Sequence, residues 1–486
     1  MRSALVKLTK RKDYIKALPH AKKSMAIVGK VLFWIGRVLM WTMHAVKTVR
    51  KNDTSVLKRL NDHFEALTRN LELMVRGVSG DDLFEVILRD QKELSAVVYY
   101  PASMGVLAAP VLAGDWLRKK MEKWLGEKNV VDTLVKSVPN NITSEMGLAL
   151  LDVSDVVRQY PAVMRYVYNA SDKIFFEDLA KLEGGGVVGD SIRAYLAKYG
   201  MRCPGEIDIA KPRWSEKPTQ LIPAIMSNIR NLEPNAHTIK FEQGRLEAEQ
   251  KEEDLLDRLQ LLPCGKQKAR KTKKMISVLR NFAGYREYPK YFIMRHNQVY
   301  KDALIREAAL LVGKGVIKEN EDIYYLSFEE LREVVRTNLL DYSVISKRKQ
   351  EHEIYEKMTP PRVITSDGET IVGEYASADI PKGALAGIPV SSGTVEGRAR
   401  VISKIEDADI KNGDILVTAF TDPAWTLLFM SVKGLVTELG GLMMHGAVIA
   451  REYGLPAVVG VENATRLIKD GQKIRVNGTE GYVELL

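Results

Sequence analysis

The sequence predicts an α + α/β protein: a large, mostly helical domain over residues 1–363, a linker over 364–384 and a small β/β/α domain over 385–486. Three observations carry this. Apolar residues recur with helical period through the first 360 or so positions. Between Ile364 and Ala384 the texture changes to Ser, Asp, Gly, Ala and isolated apolar residues without period. Beyond it, short apolar runs alternate with two or three helical segments, the pattern of a compact α/β unit of about 100 residues.

In chain order, Ala26–Val46 is the most apolar part of the N-terminal region. Lys30 and Arg37 interrupt it, so it falls short of the roughly 20 apolar residues of a membrane span. It reads as one buried or partly buried helix carrying Phe33, Trp34, Met40, Trp41 and Met43. Helical period then marks Val56–Val75, Asp82–Val97, Trp116–Leu125 and Leu148–Val156, punctuated by Pro101, Pro110, Pro139-Asn140-Asn141 and Gly184-Gly185-Gly186. Ile239–Leu262, rich in Glu, Lys and Arg, reads as an exposed helix or helical hairpin with a solvated face. Thr394–Val401, Ile415–Ala419, Leu435–Thr437 and Pro456–Val461 read as strands. No internal repeat is present.

At 486 residues, 45% hydrophobic and 28% charged, the chain can bury two or three cores and is not disordered. Two cysteines, Cys203 and Cys264, make neither a disulfide framework nor a zinc-type spacing, and the cytoplasm is the expected compartment. The net charge of +10 is local: residues 1–60 hold 15 Lys or Arg against Asp13 and Asp53. Such a run suits an anionic surface or acidic partner, with a solvated helix face as the plainer explanation. No nucleic-acid motif accompanies it, so no nucleic-acid partner is expected. Lys7, Lys10, Arg11 and Lys12 lead into more charge, unlike a signal peptide.

The chemistry concentrates at His445, in Thr437-Glu438-Leu439-Gly440-Gly441-Leu442-Met443-Met444-His445-Gly446. Gly440 and Gly441 are expected to give the backbone a freedom that a side chain would forbid, turning strand into helix near His445. The free amides of that first turn and the positive end of the helix dipole favour an anion there. A histidine is a usable nucleophile at neutral pH, able to accept a phosphoryl group and pass it on. Elsewhere, Tyr199-Gly200-Met201-Arg202-Cys203-Pro204-Gly205-Glu206 through Trp214 reads as a non-helical corner closed by Arg and Glu pairs. In Arg286-Glu287-Tyr288-Pro289-Lys290, Pro289 begins or kinks a helix, and the spacing of four puts Arg286 and Lys290 on one face, where two cations can hold a phosphoryl group in transfer. In Ser137–Gly147, Thr143 or Ser144 is expected to cap the following helix.

The segment Val436–Gly460, with Ser391–Gly397, Thr421-Asp422-Pro423-Ala424-Trp425 and Val476–Gly481, closely resembles the swivelling phosphohistidine domain of the phosphoenolpyruvate-utilising enzymes. Met444 departs from the pattern, standing where the family usually has a Thr or Ser whose hydroxyl can bond the imidazole or its phosphate; Leu427 replaces a proline after Trp425-Thr426. The helical segments, together with Arg295–Asp302, resemble the substrate domain of the rifampicin phosphotransferase family, in the same order. The resemblance implies the reaction ATP plus rifamycin plus water giving AMP, phosphate and phosphorylated drug. It implies His445 as phosphoryl carrier, Arg286 and Lys290 as cations meeting the phosphohistidine, and an apolar helical pocket for the macrocycle. ATP and magnesium are expected on an ATP-grasp domain that is missing here or supplied by a separate partner chain, with no cofactor bound by this chain itself. A phosphoenolpyruvate synthase-like fragment is the close alternative, disfavoured because only 41 residues follow His445, too few for a pyruvate-binding barrel. A non-catalytic ligand-binding remnant is the alternative of another class.

Overall fold

The computed structural model describes residues 36, 38–168, 170–358, 363–371 and 380–486. The fold class is as the sequence predicts: helices fill the chain to Tyr355, and a mixed sheet with short helices follows. Ser55–Met74 is helical because Leu57, Leu60, Phe64, Thr68 and Leu71 recur at three and four residues and are all buried. Asp81–Val98 does the same with Leu83, Phe84, Ile87, Asp90 and Leu94. The charged stretch expected as a helix or hairpin is the single helix Ala236–Gln260, which buries only Ala236, Ala248, Leu255 and Leu259.

Two local expectations are corrected. Pro110 does not punctuate: it lies inside the helix Pro101–Leu125, buried beside Ala109, Ala113 and Gly114, where packing along Gly265–Ala283 outweighs the missing hydrogen bond. The cap of Ile142–Arg158 is Asn141, whose side chain accepts from the amides of Thr143 and Ser144; both hydroxyl residues sit inside the first turn. The helix over 38–51 is partly buried, through Trp41, His44 and Ala45. Val38, Leu39, Met40, Met43 and Val46 are exposed, and Ala45 is the buried apolar residue at its line of approach to Gly105. Phe33, Trp34 and much of the basic run lie outside the described residues. Among the described residues no single helix is long and apolar enough to cross a membrane.

Past Tyr355, β1 (Val363–Ile364) and β2 (Thr370–Ile371) form a small antiparallel pair within the stretch expected as a linker, of which 372–379 lies outside the described residues. The C-terminal sheet contains β3 (Leu385–Ala386), β4 (Ile388–Ser391), β5 (Thr394–Val401), β6 (Asp414–Thr418), β7 (Gly434–Thr437), β8 (Ala457–Val459), β9 (Lys473–Asn477) and β10 (Tyr482–Leu485), in the order β3-β10-β9-β5-β6-β7-β8-β4. β5 to β8 are parallel, and the flanking strands are antiparallel. Alternate residues supply two cores. Ile415, Val417, Val436 and Val458 face one side, whereas Leu416, Leu435, Ala457 and Val459 join a cluster that continues into Met146, Leu150, Tyr199 and Phe292 of the helical domain. One apolar core therefore spans both domains in this arrangement.

The turn that leads from β7 to the His445 helix depends on glycine for space rather than for an unusual φ: neither Gly440 nor Gly441 is in the left-handed region. A Cβ at Gly440 would stand 2.6 Å from Val459 Cβ, inside contact distance, whereas one at Gly441 would meet nothing within 4 Å. Gly440→Ala should therefore destabilise the C-terminal domain by about 1–3 kcal/mol, as overpacking does, with Gly441→Ala near neutral. Thermal melts of the two variants, followed by near-UV signals, check the contrast; equal melts would contradict it.

Candidate active site

Two strands set the entry to the site. Glu438 and Leu439 donate their amides to Thr418 O (3.2 Å) and Ala419 O (2.8 Å), carrying the chain across the end of β6 before the glycine turn. The helix His445–Tyr453 then begins with His445 itself and closes on Gly454, in the left-handed region at φ 67°. Met444 is the N-cap residue and offers no side-chain acceptor, so the first-turn amides are uncapped by side chains, as the sequence led one to expect.

His445 is held by both ring nitrogens. Nε2 lies 2.9 Å from Thr426 Oγ1 and Nδ1 3.1 Å from Glu287 Oε2, with the imidazole only 11% exposed. Burial alone would push the Glu287 carboxyl up. The charge and hydrogen bond of His445, with Arg286 and Arg202 nearby, outweigh that and bring it down to about 2. An ionised carboxylate only accepts, so Nδ1 carries the proton toward Glu287. In the neutral ring Nε2 is then a lone pair accepting from the Thr426 hydroxyl. Thr426 thus supplies the hydroxyl that Met444 cannot. It fits because Gly147 faces it: a Cβ there would stand 3.2 Å from Thr426 Cγ2.

The two predicted cations are placed differently from the single helical face expected of them. Arg286 sits in the 3-10 turn Gly284–Glu287, and the α-helix begins only at Tyr288 with Pro289 in its first turn. Arg286 Nη1 meets Glu287 Oε1 at 3.2 Å while Nη2 donates to Met443 O, so it grips the loop before His445. Arg451 holds the same loop through Leu442 O at 2.7 Å. Lys290 instead pairs with Glu206 at 3.0 Å. Glu206 also takes Arg202 Nη1 at 2.9 and 3.2 Å, and both partners are buried, so the corner is closed by an Arg–Glu pair as expected. It reaches the C-terminal domain as well: Gly205 N donates to Asp422 Oδ2 at 2.5 Å, and burial raises the Asp422 carboxyl.

A second carboxylate crosses the same seam with the opposite balance. Glu452 accepts from Asn141 Nδ2, while Tyr453 Oη donates to Ser144 O at 3.2 Å. Burial is the largest influence on Glu452, and repulsion from Glu287 and Glu145 adds to it against the Ser144 and Asn141 bonds; together they push it up to about 8. Sequence reasoning assigned no role to Glu287, Thr426, Asn141 or Glu452. The only available signal was position, since Glu287 stands between the chosen cations and Thr426 directly follows the Thr421–Trp425 motif. Leu427, the replaced proline, is an ordinary core residue at 2% exposure. His296 is a buried structural histidine, bonded to Asp90 Oδ2 at 2.7 Å and to Thr68, with Tyr300 on the same carboxylate.

Residues 102–287 match the family described as rifampicin phosphotransferase fourth domain, and residues 410–481 match the PEP-utilising enzyme mobile domain. The chain is 55% identical over 485 residues to a rifampicin phosphotransferase of Bacillus subtilis, covering all of this chain and 55% of that protein. It is 53% identical to one from Bacillus cereus, again covering 55% of the relative, and 49% identical to one from Streptomyces sviceus, covering 54%. The chain thus spans about half the length of the curated relatives it matches.

The two carboxyls make opposite pH contributions. Glu287, lowered to about 2, stabilises the folded, docked state above its ordinary range near 4.5 and loses that contribution as pH falls. Glu452, raised to about 8, contributes fully below its ordinary value of 4.5 and loses it as pH rises toward 8. Glu452→Gln keeps an acceptor for Asn141 without a charge to bury. Melting temperatures across about pH 5 to 8 should therefore fall less steeply in the variant than in the parent; parallel slopes would assign the fall to other groups.

Proposed function

Because this chain belongs over its whole length to the rifampicin phosphotransferase family, we propose that it is the acceptor-side portion of a phosphotransferase in which His445 Nε2 carries the phosphoryl group. The observation that carries this reading is the two-sided grip on His445, with a carboxylate of one domain on Nδ1 and a hydroxyl of its own domain on Nε2. The donor in this reading is ATP with magnesium, bound by an ATP-grasp unit of the kind the sequence resemblance implies. In the same reading the magnesium belongs with the nucleotide. The acceptor is a hydroxyl compound, and a rifamycin is the one the relatives' names suggest.

At the acceptor side the hydroxyl oxygen attacks phosphorus, the P–Nε2 bond breaks, its electron pair returns to the ring, and the hydroxyl proton passes to solvent. While phosphorylated, the ring keeps its Nδ1 proton, whose hydrogen bond Glu287 accepts, and this makes the departing group a neutral imidazole rather than an anion. Arg286, on Glu287 and on the loop at Met443, fixes both partners of that bond, and the uncapped first-turn amides favour phosphoryl oxygens. Overall, ATP, water and the hydroxyl compound give AMP, phosphate and the phosphorylated product. The swivelling of the C-terminal domain about the stretch near 364–384 belongs to the same proposal, since a carrier must visit a loading site and then this one.

The roles separate experimentally. With an ATP-grasp partner and labelled ATP, His445→Ala should carry no acid-labile label. Glu287→Gln should load normally, because Glu287 belongs to the helical domain, yet transfer about 10²-fold more slowly in single turnover. Arg286→Ala should also slow transfer by about 10² while ligand binding is unchanged. Lys290→Ala should have the same effect, by loosening Glu206 at the corner. Label persisting in His445→Ala would end the carrier assignment. Failure of any rifamycin to bind would remove the drug alone.

A further inference from the structure

At the end of the His445–Tyr453 helix opposite His445 lies a cleft of about 300 Å³ whose walls come from both domains. The helical domain contributes Lys136, Lys240 and Phe241, and the C-terminal domain contributes Phe429, Lys433 and Tyr453. Its size is at the lower end of small-ligand sites. Three ammonium groups line it, and one is neutralised: Lys136 pairs with Glu247 at 2.6 Å, its stem lying over Gly454 at the end of the His445 helix. Lys240 and Lys433 make no ion pair or side-chain hydrogen bond among the described residues. Lys240 is exposed on its helix, and desolvation of its ammonium lowers it. The one other acid on the wall, Glu452, is raised by burial and adds little negative charge at neutral pH.

We propose that this interdomain cleft binds a small dianion on a planar apolar body, a phosphomonoester of aryl type, with Lys240 and Lys433 on the anion and the half-buried Phe241 on the ring. Each lysine belongs to a different domain. A bound dianion therefore links them and favours the docked arrangement over the open one, by the difference in its affinity for the two. The site makes no use of His445, and its occupancy is read without ATP or turnover.

Phenyl phosphate and, separately, inorganic phosphate are titrated calorimetrically into the full chain at neutral pH. Phenyl phosphate should bind the more tightly of the two. Lys240→Ala and Lys433→Ala should each weaken it about tenfold or more, the loss expected of one charge-assisted bond. Hydrogen exchange should slow together at residues 236–247 and 429–433. Affinity unchanged in both lysine variants would overturn the proposal, as would binding lost instead in Arg286→Ala, which would place the anion at the transfer site. No saturable binding at millimolar ligand would overturn it too.

Discussion

The bond between Glu287 and His445 is the constraint on which the rest of the site depends. A carboxylate buried this deeply is unfavourable unless it is ionised against a partner and fully bonded. Here the partner is a histidine on the other domain, and the supporting bonds come from Arg286 and the Thr143 hydroxyl at 3.4 Å. That arrangement fixes much else. It requires the turn at Gly284–Glu287 to end where Tyr288 begins its helix, and it requires Asn141 to start its helix so that Thr143 faces inward. It also requires Gly147 opposite Thr426, since a larger residue would press on the group that completes the histidine's second bond.

Side chains at the seam divide by charge balance rather than by residue type. Glu287, Glu206 and Glu452 are all buried at it. Glu206 has Arg202 and Lys290, and Glu287 has Arg286 and His445, while Glu452 has only neutral donors and two acidic neighbours. The first two fasten charged corners. Glu452, pushed up to about 8 by burial and its acidic neighbours, is the one of the three that favours its neutral form.

The sequence made the large features legible because they rest on periodicity. The strands Thr394–Val401 and Leu435–Thr437 and the helices Ser55–Met74 and Asp81–Val98 stand within a residue or two of their expected limits, since alternation and three-four spacing are local properties. Pro110 was misread for the opposite reason: whether a proline is tolerated inside a helix depends on a distant neighbour. The site was half legible. His445 stands out through its glycine turn, but Glu287 and Thr426 come from segments 158 and 19 residues away and have no spacing that announces them. The same is true of Gly440, expected to serve backbone freedom and found to serve room beside Val459.

The core shared by the two domains makes their union temperature-dependent in an unusual direction. Trp425, Leu428, Phe429 and Ala447 are buried against helical-domain residues such as Met146 and Leu150, so separating the domains wets apolar surface. The attraction between such surfaces weakens on cooling. An interface held mainly by hydrogen bonds and ion pairs would tighten in the cold, whereas this apolar one weakens on cooling and strengthens on warming.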